Sequence, residues 1–165
     1  MASAFAKESG GFLYISKETN QALLGHDLSD RAASKSQFAV VPCLVLSKVS
    51  PDRQPTCVSL IDPERPGWYL SHFEGDMYFL PAYATRNRDT FDDDASFFIR
   101  IGQFFPGCRT LESYSLPGYF MHSTADDELA LSPLQNTSEF QTATSGYLIH
   151  HGFKGESNVR LSLHC

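Results

Sequence analysis

Tyr69-Leu70-Ser71-His72 returns later in the chain as Tyr119-Phe120-Met121-His122. Each copy follows a Pro-Gly pair, Pro66-Gly67 and Pro117-Gly118. Each also leads to a Phe-centred segment, Phe91-Asp92-Asp93-Asp94-Ala95-Ser96-Phe97 in one case and Phe140-Gln141-Thr142-Ala143-Thr144-Ser145 in the other. Cys57 and Cys108 stand at matching places ahead of the two copies. A spacing of about 50 residues, kept by several independent landmarks, marks a supersecondary unit copied within one chain, because a unit that small cannot bury its apolar face alone.

Working outward, short runs rich in aromatic and β-branched residues alternate with clusters of Gly, Pro, Asn, Asp and Ser. The runs are 11–15, 38–41, 44–46, 68–70, 77–80, 97–101, 119–121 and 146–149. This spacing predicts an all-β barrel or sandwich. No segment carries a sustained helical period, and the expectation for helix is limited to a short turn around Asp27–Ala33. A degraded third copy is found at Gly10-Gly11-Phe12-Leu13-Tyr14-Ile15-Ser16, followed by Ser36-Gln37-Phe38-Ala39-Val40. Three units of roughly four strands each, closing around a pseudo-three-fold axis, predict a β-trefoil, which leaves few open sheet edges. The expected organisation is one domain over 1–150, with units of roughly 1–50, 51–104 and 105–150, and an irregular tail over 151–165.

Within that frame, Pro-x-x-Tyr-aliphatic-x-His, a Leu-bearing strand, then Phe-x-x-Asp-Ala-Ser-Phe-aliphatic-Arg-x-Gly resembles the arabinose-binding domain of α-L-arabinofuranosidase B. The residues concerned are Pro66–His72, Leu80 and Phe91–Gly102, with Cys108–Ser113 and Pro117–His122 opening the next copy. The resemblance runs from about Gly11 to Ile149. It implies a β-trefoil carbohydrate-binding module whose shallow pockets hold arabinofuranose side chains of arabinoxylan or arabinan. The residue chemistry agrees with that expectation. Asp94 can accept sugar hydroxyls in charge-assisted bonds, His72 can donate or accept, and Tyr69 can cover C–H surface. Asp93, Tyr119 and His122 complete the set of candidate ligand-binding residues.

Structural roles compete for each of these residues. Tyr69 and Tyr119 sit in apolar runs and suit a core as well as a pocket wall. A histidine often ties strand to loop, and an Asp run such as Asp92–Asp94 commonly ends as a solvated loop or Asx-turn. The copies also differ. The Asp94 position falls on Ala143 in the later copy, where Glu139 is the nearest carboxylate. In the first copy Ser16 replaces the histidine and Ser34-Lys35 replaces the acids. One pocket of three is expected intact, so binding should be monovalent and weak, or lost. A protein-interaction or structural trefoil with decayed pockets is the alternative reading.

Glycoside hydrolysis by the usual route needs two carboxylates about 5 to 10 Å apart across the scissile bond. Asp92, Asp93 and Asp94 are consecutive, and no second acid recurs beside them. No Gly-x-Ser-x-Gly, phosphate loop or His-Glu-x-x-His is present. The chain therefore reads as non-catalytic, any hydrolase association belonging to a parent α-L-arabinofuranosidase. No cofactor is expected. The neighbouring His150 and His151 would point to opposite faces of a strand and cannot readily share a metal ion.

A net charge of −6, with Arg86 and Arg88 followed at once by Asp89, argues against nucleic acid or an anionic membrane as partner. A glycan is the expected partner, with a protein partner as the second option. The N-terminus lacks a basic region and an apolar run of secretory type, which leaves a cytosolic chain or a fragment of a secreted protein open. Cys43, Cys57, Cys108 and Cys165 lack metal-site spacing. They are expected as free, buried thiols, since symmetry-related Cys57 and Cys108 would need an unusually close approach to bond.

Overall fold

The computed structural model describes residues 12–16, 18–25, 38–82, 88–150 and 158–163. Among them are twelve strands, all paired into one antiparallel sheet system. They are β1 (Phe12–Ile15), β2 (Ala22–Gly25), β3 (Phe38–Pro42), β4 (Cys57–Ile61), β5 (Trp68–Phe73), β6 (Asp76–Pro81), β7 (Phe97–Ile101), β8 (Arg109–Ser113), β9 (Tyr119–Ser123), β10 (Leu129–Pro133), β11 (Gly146–His150) and β12 (Asn158–Leu163). Two seven-residue helices interrupt them, α1 (Arg88–Asp94) and α2 (Ser138–Thr144).

The sheet closes on itself. Pairing runs from β4 through β5, β6, β10, β9, β8 and β7 back to β4, a barrel of seven strands. A second circuit joins β12, β3, β4, β7, β8 and β11, and returns to β12. Closure leaves few strand edges unpaired, which suits a chain with many short strands. Along β6 and β10 burial alternates residue by residue, with Met77 and Phe79, then Leu129 and Leu131, facing inward.

The main core gathers Leu13, Phe38, Leu60, Leu70, Phe79, Phe97, Met121 and Leu129, each almost fully buried, and the Phe38 and Phe79 rings stack 5.4 Å apart. A smaller core of Cys43, Val45, Val49, Cys57 and Phe98 lies under the β3–β4 connection.

The two Pro-Gly pairs have the same physical cause. Trp68 N–H bonds to Arg65 C=O at 3.1 Å and Tyr119 N–H to Leu116 C=O at 3.0 Å. Each bond closes a turn with Pro at the second position and Gly at the third, where φ is 84° at Gly67 and 83° at Gly118. That is the geometry in which proline presets one residue and only glycine takes the next without strain. Each turn launches a hairpin, β5–β6 or β9–β10, followed by a short helix and then a strand.

Several sequence expectations are corrected. The Phe-centred segments are helices, not loops: Thr137 caps α2 through the Phe140 N–H at 3.2 Å. Short helices carry too few turns for a visible period, and their single buried anchors, Phe91 and Phe140, read as isolated aromatics. The run 44–46 forms no strand, because a 3-10 turn begins at Leu46. The stretch expected as an irregular tail contains β12, which pairs with β11, β3 and β1. The expected turn at Asp27–Ala33 lies outside the described residues.

The free-thiol expectation also fails. Cys43 and Cys57 form a disulfide, and Cys108 is disulfide-bonded as well. Burial alone suggested thiols. It is the chain path, bringing Cα atoms of Cys43 and Cys57 to 5.3 Å, that permits the bond.

Candidate functional site

The site is built where α1 meets the β5–β6 hairpin. Phe91 and Asp94 are three residues apart and so share one face of the helix. Phe91 is buried and its ring meets Tyr69 of β5 edge-on, 6.2 Å between centroids. Asp94, at the end of the same helix, reaches His72, with Oδ1 3.1 Å from Nε2. The helix is held in register by its own continuation. Ala95 N–H bonds to Phe91 C=O, the Ser96 hydroxyl donates to Asp92 C=O at 2.7 Å, and Ser59 donates to Ala95 C=O at 2.7 Å. The Asp-Ala-Ser-Phe word is thus mostly scaffold, with Asp94 as its one partly exposed member.

A third group completes the site. Ser115, in the β8–β9 connection, places its hydroxyl 2.7 Å from His72 Nε2. Ser115 Oγ also lies 3.3 Å from Ser113 Oγ, which accepts the Leu116 N–H. His72 Nε2 thus faces both the Asp94 carboxylate, which can only accept, and the Ser115 hydroxyl, which can donate or accept. Burial pushes the His72 imidazole below its ordinary value, and the Asp94 carboxylate pulls it partly back. The histidine side chain is 9% exposed and the Asp94 side chain 23%. Asp94 Oδ2 has no partner among the described residues. The arrangement offers an outward carboxylate acceptor beside an oriented imidazole.

Asp93 turns elsewhere, to Lys48, with Oδ1 to Nζ at 3.0 Å on the exposed surface. Tyr119 packs against the main core. His122 is buried at 4% exposure, its Nδ1–H donating to Ser123 C=O at 3.0 Å and its Nε2 accepting from the Ser132 hydroxyl at 2.8 Å. Burial lowers its pKa, partly offset by the Ser123 carbonyl. Ala143 is fully buried, and Glu139 is exposed in the first turn of α2. Sequence reasoning thus paired His72 with Asp94 and missed Ser115, for which no local signal exists, since it arrives from a different hairpin. Among the described residues no group of three His, Cys, Asp or Glu side chains is placed to hold a metal ion.

These features can be set beside known proteins. The sequence family described as the α-L-arabinofuranosidase B (ABFB) domain matches residues 11–149. The chain belongs to this family of carbohydrate-binding modules. Its fold is similar to an arabinofuranosidase complexed with arabinofuranosyl-α-1,2-xylobiose, at TM-score 0.60 and 16% identity, covering 86% of this chain and 31% of that one. It is also similar to a GlcNAcα1-4Gal-releasing endo-β-galactosidase from Clostridium perfringens, at TM-score 0.59 and 13% identity, covering 97% and 31%. A GH54 α-L-arabinofuranosidase soaked with a cyclic sulfate inhibitor aligns at TM-score 0.46 and 15% identity, over 68% of this chain and 19% of that one. The chain therefore spans less than a third of each of these proteins. No curated protein matches it by sequence at a significant level.

Proposed function

We propose that this chain is a non-catalytic carbohydrate-binding module of β-trefoil architecture that takes one arabinofuranose side chain at the His72–Asp94 site. The β-trefoil reading is supported by the three hairpins β1–β2, β5–β6 and β9–β10 standing outside a six-strand circuit, with β12 supplying the first strand of the first unit. The observation that carries the functional reading is the 3.1 Å contact between His72 and Asp94, two residues distant in sequence and both within the span the family matches. In this reading Asp94 Oδ2 accepts two ring hydroxyls, His72 and Ser115 orient Asp94, and Tyr69 contributes apolar cover. The buried, internally bonded His122 beside Ala143 supports a single site in place of several, and hence weak, monovalent binding without avidity. The disulfides support maturation in an oxidising compartment.

Calorimetric titration with arabinofuranosyl-substituted xylo-oligosaccharides tests the reading. Binding that weakens at least tenfold in Asp94→Ala, about 1.4 kcal/mol, is the expected result. Absence of heat with every arabinofuranosyl ligand overturns it in favour of a structural or protein-binding module. Release of arabinose from a chromogenic arabinofuranoside by the purified chain, abolished by Asp94→Ala, overturns the non-catalytic part.

A further inference from the structure

We propose that a second, separate site for an acidic sugar lies in a cavity of about 280 Å³ lined by Arg53, Phe98, Glu112, Ser113, Tyr114 and Pro117. Neither His72 nor Asp94 lines it. It lies against the smaller core, where Phe98 of β7 packs on the disulfide-braced β3–β4 connection. Its volume is at the small end for ligand sites and suits one sugar ring rather than a chain.

The charge arrangement selects an anion. Glu112 is already committed: its Oε1 accepts Arg100 Nε at 2.9 Å and Arg100 Nη2, and its Oε2 accepts the Gly118 N–H at 3.0 Å. That pair is neutral as a unit. Arg53 has no such counterpart. Its guanidinium lies over the Phe98 ring, 3.9 Å from the centroid, and among the described residues no carboxylate is in ion-pair contact with it. Nearby Asp52 is fully exposed, its carboxyl held below the usual range first by a hydrogen bond from Ser50 and more weakly by the Arg53 charge. Stacking on an aromatic face fixes the guanidinium plane and leaves its N–H edge open, the geometry that a carboxylate meets with two parallel hydrogen bonds.

The lining also carries apolar surface. Tyr114 is half-buried with its ring 6.1 Å from Phe98, and Pro117 is exposed at the rim. Such a surface accepts the C–H face of a pyranose, while Glu112 Oε2, which accepts one hydrogen bond from the Gly118 N–H, retains a lone pair for a sugar hydroxyl. One planar carboxylate, one apolar ring face and flanking hydroxyls together describe a hexuronic acid.

The test is NMR titration of the isotopically labelled full chain with D-glucuronate, D-glucose and acetate. The expected result is that glucuronate shifts resonances of Arg53, Glu112 and Tyr114, binds at least tenfold more tightly than glucose or acetate, and weakens as salt rises. Arg53→Gln, an exposed substitution, should lower glucuronate affinity at least tenfold and leave arabinofuranoside binding unchanged. Equal binding of glucose overturns the role of Arg53, equal binding of acetate overturns the sugar, and no shift at these residues overturns the site. Each of these failures leaves the arabinofuranose titration unaffected, so the two readings fall separately.

Discussion

The β5–β6–α1 region and the β9–β10–α2 region are built alike and behave differently. Both begin at a Pro-Gly turn, both bury a phenylalanine within a seven-residue helix, and both follow that helix with a serine that bonds back four residues, Ser96 to Asp92 C=O and Ser145 to Gln141 C=O. The histidines diverge. His72 looks across to Asp94 and Ser115 at the surface, whereas His122 is buried under Phe140, its ring 5.4 Å away, and spends both nitrogens on Ser123 and Ser132. The comparison teaches that the shared words are scaffold first. At the matching helix position, partly exposed Asp94 stands in one region and fully buried Ala143 in the other.

The strongest way to break the comparison is to remove the shared anchors. Phe91→Ala and Phe140→Ala should each destabilise by about 3–5 kcal/mol, read by chemical denaturation. A large inequality between them would mean that the two helices are not equivalent supports. Next, Ala143→Asp should cost about 3 kcal/mol, because it buries an unpaired carboxylate beside a histidine whose nitrogens are already used. Binding stoichiometry by calorimetry should stay at one, and a rise to two would show that the third pocket needs only its acid.

The acid limb of stability comes third. His122 has its pKa lowered by burial, so the unfolded chain binds its proton more readily than the folded one does. Its stabilising contribution is therefore complete above the ordinary value of 6.5 and declines as pH falls below it. Thermal melts from pH 7 to 5 should show a fall in midpoint that His122→Gln flattens. His72, whose pKa burial also lowers while Asp94 raises it, should act in the same direction. The smallest effect is expected at Lys48→Ala, which removes an exposed ion pair to Asp93 and should change stability by about 0.5 kcal/mol or less. A larger loss, or a loss of binding, would make that pair a support for Asp94.

Much of the scaffold is legible in the residues. Pro-Gly before an aromatic run predicts a turn opening a hairpin, and the repeated order of landmarks predicts related units joined in one all-β body. The pairing of His72 with Asp94 is legible too, through the order of motif words. The helices were not, because seven residues with one buried phenylalanine give no period to count. Neither was β12, whose pairing partners lie far away in sequence, on β11, β3 and β1.

The amino-acid sequence by itself determines where the two Pro-Gly turns open their hairpins, since proline and glycine act through local sterics. It also determines that the Asp94 position becomes Ala143 in the later copy. Tertiary structure alone decides that Cys43 meets Cys57, that Ser115 reaches His72 from another hairpin, and that His122 is buried while His72 is not. Those outcomes depend on contacts between segments far apart along the chain, and no local preference of the residues involved encodes them.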